Sequence, residues 1–152
     1  MKIEKAINQT KPFRNDYQKG IVNLLYTHSW LMEQLRDFFQ PHGLTIKQFN
    51  VLRILKGAGQ ALTTSVIRER MIDKMSDASR VVDRLYKKEL VEKCGCPTDK
   101  RLVDVTISEK GKQLLLAIEE QNDYLDNIMG QLDIGEISHF NDLLDKIRES
   151  SL

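Results

Sequence analysis

Cysteine is nearly missing from this chain. Two occur in 152 residues, Cys94 and Cys96, and they lie two positions apart. A bond between them would strain a three-residue segment, and a pair so close cannot form a disulfide framework of the secreted kind, so a reducing compartment is expected. Three prolines and eight glycines are too few for a linker-rich or collagen-like chain. The three histidines (His28, His42, His139) are scattered without ligand spacing. Structural zinc asks for four ligands, so no metal is expected. No apolar run approaches the roughly 20 residues of a membrane span, and Met1-Lys2-Ile3-Glu4-Lys5 lacks the apolar core of a signal peptide. Nor is there a Gly-rich phosphate loop, a His-Glu-x-x-His or a Gly-x-Ser-x-Gly, which leaves no motif for an enzyme and no cofactor to expect. The expectation is a cytoplasmic protein with no membrane partner.

What is present suits one compact domain over residues 1–152, 41% hydrophobic and 30% charged, long enough to bury a core without staples. The net charge of +1 does not announce a polyanion-binding protein, but its distribution is uneven. Residues 1–61 carry nine basic and four acidic side chains, residues 62–104 ten and eight, and residues 105–152 four and ten. A basic front with an acidic tail is a dipolar arrangement, although solvated helix faces can differ this way for no functional reason.

Apolar spacing is mostly helical. Ile21, Leu24, Leu25, His28, Leu31, Met32, Leu35, Phe38 and Phe39 form a stripe at three- and four-residue steps along a long helix that Pro41 and Gly43 end. Thr45-Ile46-Lys47-Gln48 predicts a capping box, opening a helix that buries Ile46, Phe49, Leu52 and Leu55 and stops at Gly57-Ala58-Gly59. A short helix is predicted at about Thr64–Met71, capped by Thr63 or Thr64, and another from about Ser76 to Lys88, with Ala78, Val81, Val82 and Leu85 inward. The period then changes. Leu90–Cys94 and Arg101–Ile107 predict two strands, the second with Val103, Val105 and Ile107 on one face, joined by a turn at Gly95–Lys100. Helical spacing resumes after Ser108 as one long helix through Met129, punctuated by Gly130 and Asp133 before a last helix at Ile134–Ile147. The fold class is therefore mainly α (α+β): a winged helix-turn-helix at 45–107, flanked by a helical dimerisation region from both termini (12–42 and 108–152). The apolar stripes of the flanking helices need a surface to cover, and a two-fold partner copy is the economical one, since C2 dimers are the commonest assembly. Folding back on their own domain is the alternative.

The predicted helix at 76–88 presents Ser76, Asp77, Ser79, Arg80, Asp83, Arg84 and Lys87 outward. A helix of this size fits a major groove, where Arg bonds guanine bidentately and Ser bonds base edges or phosphates. Thr64 and Ser65 open the preceding helix, where hydroxyls and free amides suit a phosphate. Equally, small polar and charged residues on a helix are an ordinary solvated face. Lys100 and Arg101 stand at the tip or shoulder of the hairpin, where an Arg can enter a narrow minor groove. Asp99 makes sense there if it braces Arg101 or Arg84, or simply as a turn residue.

These residues resemble a known family. Ser79-Arg80-Val81-Val82-Asp83-Arg84-Leu85-Tyr86-Lys87-Lys88-Glu89-Leu90-Val91 is similar to the recognition helix and following strand of the MarR family of transcriptional regulators. Asp99-Lys100-Arg101-Leu102-Val103-Asp104-Val105-Thr106-Ile107-Ser108-Glu109-Lys110-Gly111 resembles that family's wing signature. The resemblance implies a homodimer that binds a pseudo-palindromic duplex-DNA operator, usually as a repressor, and is often released by a small organic molecule or an oxidant. It implies Arg101 in the minor groove, Asp99 as its brace, and Ser76 to Lys87 in the major groove. Two positions depart from the pattern: Glu89 stands where a Gly is common, and Ser108 replaces the common Thr while keeping cap chemistry.

Three further readings stay open. Tyr26, Trp30 and Phe49 are candidates to line a cleft for a small aromatic effector, although aromatics at helical spacing more often serve core or interface. Cys94 and Cys96 are candidates for a thiol-based redox-sensing regulator, although Cys is often a small core or loop residue. A winged-helix protein-interaction module without DNA binding is the alternative that the near-neutral charge keeps in view.

Overall fold

The computed structural model describes residues 1–95 and 103–149, and the chain divides into two compact units, Met1–Phe38 and Phe39–Leu152. The first holds a one-turn helix, α1 (Ile3–Ala6), and nearly all of the long helix α2 (Asp16–Phe39). The sequence pattern had not indicated α1. Lys19 of α2 pairs with Glu4 of α1 at 2.7 Å, and that ammonium holds the Glu4 carboxyl below its usual range. The apolar stripe of α2 is present but largely uncovered: Ile21 and Leu25 are each more than 60% exposed, and Leu24, Tyr26 and Trp30 are at least 40% exposed.

The second unit begins with a 3-10 turn, Gln40–His42, containing Pro41 and closed by Gly43 at φ +67°. The capping box then opens α3 (Ile46–Ala58): the Thr45 hydroxyl accepts from the Gln48 N–H at 3.2 Å, and the Gln48 side chain accepts from the Thr45 N–H at 3.1 Å. Helix α3 puts Val51, Leu52 and Leu55 into the core. Ile46 and Phe49, expected to be buried, are only half-buried, and the Phe49 ring lies tilted against Phe39 with centroids 4.3 Å apart. Next come β1 (Leu62–Thr63), α4 (Thr64–Arg70) and α5 (Ala78–Lys87). Strands β2 (Val91–Gly95) and β3 (Val103–Ile107) follow, and then helices α6 (Glu109–Glu119), α7 (Asn122–Asn127) and α8 (Ile134–Glu149).

The sheet has three strands in the order β1-β3-β2, all antiparallel, with Leu62 opposite Val105 and Val91 opposite Ile107. Strand β1 escaped the sequence reading because two residues show no period. On β3 only Val105 is fully buried. Val103 is exposed and Ile107 half-buried; β1 ends opposite Asp104, so Val103 has no partner on that side among the described residues. Ile67, Val82, Leu85, Leu115 and Ile118 complete the core of this unit, each 0% exposed. Full burial of such a side chain stabilises by about 1.5–3 kcal/mol.

Two other expectations change. The helix predicted from Ser76 starts at Ala78, because Asp77 adopts an extended backbone and its carboxylate accepts from the Arg80 N–H at 3.1 Å, which makes it the cap rather than a helical residue. The long helix expected from Ser108 to Met129 is broken: the Gln121 N–H donates to the Ile118 carbonyl at 2.9 Å, a three-residue step that ends the four-residue ladder, and α7 starts afresh. No Gly or Pro marks this break. Nothing in α7 or α8 is buried.

Candidate nucleic-acid interface

Helices α4 and α5 are joined by a loop that one carboxylate organises. Asp73 accepts from the Ser76 hydroxyl at 2.7 Å and from the Met75 N–H at 3.0 Å, and pairs with Lys47 of α3 at 2.8 Å. This cation and the two donors favour its charged form, Lys47 most of all, then Ser76 and Met75, and pull its pKa from near 3.8 down to about 2. The loop therefore delivers the amino end of α5 in a fixed position beside α4.

Ala78, Val81, Val82 and Leu85 anchor α5 to the core, as their spacing predicted. That leaves Ser79, Arg80, Asp83, Arg84 and Lys87 exposed along the opposite side. The far end of the helix is tied back twice. Lys88 donates to the Gly43 carbonyl and, at 3.0 Å, to the buried Gln48 side chain. On the wing side, Asp83 pairs with Lys93 of β2, whose ammonium also lies 5.3 Å from the Tyr86 ring centre, and Lys93 holds the Asp83 carboxyl below its usual range. The exposed face of α5 and strand β2 are thus linked by side chains of both.

Between α4 and the amino end of α5 lies an open groove of about 560 Å³. It brings together five of the residues singled out from sequence: Thr64 and Ser65 from α4, and Ser76, Asp77 and Ser79 from the start of α5. One of these is placed differently from the expectation. Ser76 is buried, with its hydroxyl committed to Asp73, so it shapes the groove rather than projecting outward. Arg80 pairs with Asp77 at 3.2 Å while remaining exposed, and Arg84 and Lys87 lie further along the helix. Arg68, Lys74 and Met75 also line the groove and were missed. Arg68 falls one helical turn after Thr64, so its spacing could have revealed it; Lys74 and Met75 sit in a loop without a period. Asp99, Lys100, Arg101 and Cys96 lie outside the described residues. Cys94 is an exposed free thiol on β2, opposite Asp104. Tyr26 and Trp30 belong to the first unit and Phe49 to the second.

Two helices joined by a fixed loop, a second helix with a polar cationic outer face, and a β-hairpin leading from it make a winged helix-turn-helix. Comparison with known proteins agrees. Residues 42–102 match the model of the MarR family. The chain is 31% identical to the HTH-type transcriptional repressor MdtR of Bacillus subtilis over 53% of its own length and 52% of that protein. It is 26% identical to the transcriptional regulator YsmB of the same organism, over 74% of this chain and 77% of that one. It thus spans about half the length of MdtR. Among solved structures, a MarR-like regulator from Bacillus cereus superposes with a TM-score of 0.79 at 21% identity, over 89% of this chain and 97% of that one. An organohalide-sensing regulator in its 2,4-dichlorophenol-bound form gives 0.82 at 19%, over 93% and 87%. A mutant MarR from E. coli complexed with operator DNA gives 0.73 at 22%, over 82% and 91%. The central part of the chain thus resembles the MarR family in sequence, and its fold is that of MarR-like regulators. The relatives named here are transcription regulators, not enzymes.

Proposed function

We propose that this chain is a MarR-family regulator that binds a specific pseudo-palindromic DNA duplex as a homodimer, represses transcription from it, and is released by a small organic effector. The groove carries the reading: it assembles hydroxyls and cations from two helices beside an α5 face bearing Arg80, Arg84 and Lys87. Arg and Ser are the side chains that read base edges, and cations with hydroxyls hold phosphates. The operator complex of the E. coli structure supports the duplex partner, and the name of MdtR supports repression. The dichlorophenol-bound structure supports an aromatic effector. The uncovered apolar faces of α2 and α8, with Ile21, Leu25, Ile134 and Leu143 exposed, support a second copy as the cover. Arg101, by its place in the sequence, is proposed as the minor-groove contact.

Recovery and sequencing of genomic fragments retained by the purified protein tests this. The expected outcome is a small set of fragments sharing an inverted repeat with half-sites about one helical turn apart, ~34–36 Å. Arg101→Ala weakens binding by ~1–3 kcal/mol on that duplex. Retention of no fragment in dilute buffer overturns the reading in favour of a protein-interaction module. Trp30 is the only tryptophan and is partly exposed on α2, so quenching of its fluorescence by substituted phenols gives a direct assay for an effector.

A further inference from the structure

Most of the side chains that line the groove between α4 and α5 are polar, and one long side chain among them is apolar. Met75 lines it and is 94% exposed. It cannot readily turn inward. Its N–H is held by Asp73 at 3.0 Å, and the inward positions on either side are filled by Met71 and Ser76, exposed by only 1% and 6%. A fully exposed methionine forfeits the stabilisation its burial would bring, and a polar residue would serve a solvated loop as well. The side chain therefore fits a surface that is met on binding. The major groove of a duplex offers one apolar feature on its base edges, the thymine methyl group. A flexible, polarisable thioether can settle against a methyl without the fixed geometry that a hydrogen bond demands. We propose that Met75 reads a thymine methyl at one position of each half-site, and so determines specificity beside the hydrogen-bonding Ser79 and Arg80. This rests on the duplex-binding reading above.

Deoxyuridine substitution tests it. In the duplex recovered by selection, each thymine is replaced singly by uracil, which removes the methyl and keeps the pairing. One position per half-site should weaken wild-type binding about fourfold, the worth of one buried methyl group. In Met75→Ala that loss should vanish. Ile72→Ala is the control: Ile72 is 84% exposed in the same loop, with its N–H held by Asn50 at 3.0 Å, but it does not line the groove. That variant should still distinguish thymine from uracil. Both side chains are exposed, so neither variant threatens the fold. Indifference to uracil at every position, or an equal loss in wild type and Met75→Ala, overturns the assignment while leaving duplex binding standing. Failure of the wild type to bind any duplex removes the functional reading itself, and this inference with it.

Discussion

Lys88, Glu89 and Leu90 turn the chain from α5 into β2, and Glu89 does so at φ +61°, in the left-handed region where a Cβ is unwelcome. This is the position where the family resemblance led us to expect Gly, so the departure noted in the sequence carries a backbone cost. Among the described residues its carboxylate receives only an exposed pair with Lys110 at 3.1 Å in return, the kind of contact worth well under ~1 kcal/mol. Glu89→Gly should raise stability by about 1 kcal/mol in urea unfolding; a loss would show that the pair outweighs the strain. Gly111 is the opposite case. A Cβ there would stand 2.3 Å from the Leu90 carbonyl oxygen and 2.8 Å from Ile107 Cγ1. Ser108 fixes that approach by donating to the Glu89 carbonyl at 2.7 Å and accepting from the Gly111 N–H at 3.0 Å. Gly111→Ala should cost about 1–3 kcal/mol, as overpacking against a fixed backbone does. In the sequence Gly111 was visible only as part of a motif. The reason for it, a carbonyl from nineteen or more residues earlier in the chain, is a tertiary fact that no local pattern can show.

Among the elements, those with a strong period or cap were legible and those made by tertiary contact were not. Thr45 and Gln48 announced α3, and the four apolar positions of α5 announced which face turns inward. The two-residue β1 exists because Leu62 lies opposite Val105, and the break at Gln121 carries no residue that forces it. The residues gathered from α4 and α5 into the groove were read as two separate faces; their union depends on the Asp73 clamp, a bond set between a helix and a distant loop. That clamp has a pH signature. The Asp73 pKa is lower in the folded protein, so its contribution to stability is complete above about 3.8 and is lost as pH falls from there toward about 2. Asp73→Asn should flatten the fall in unfolding midpoint between about pH 4 and pH 2 relative to wild type. Parallel curves would mean that other carboxylates carry the effect. Asp77→Ala removes the α5 cap and should cost about 1 kcal/mol, measured in the same way, while also loosening Arg80.

At the scale of the whole molecule, each unit leaves apolar helix surface uncovered. If the proposed second copy covers this face of α2, Leu25→Glu should convert the dimer into a monomer at micromolar concentration in sedimentation velocity, because an unpaired carboxylate in a covered apolar face is costly. An unchanged sedimentation coefficient would place the dimer contact elsewhere. The first unit's stripe was legible at once from its spacing, but that stripe alone could not distinguish a partner copy from the chain's own body. The charge asymmetry of the sequence, basic in front and acidic behind, bears on how the proposed duplex would be approached rather than on the fold. Sedimentation equilibrium of the protein with its selected duplex, across a series of salt concentrations, joins the two halves of the account. Two chains per duplex, with affinity falling steeply and log-linearly as salt rises, is the result the account predicts. A single chain per duplex, or binding indifferent to salt, would contradict it.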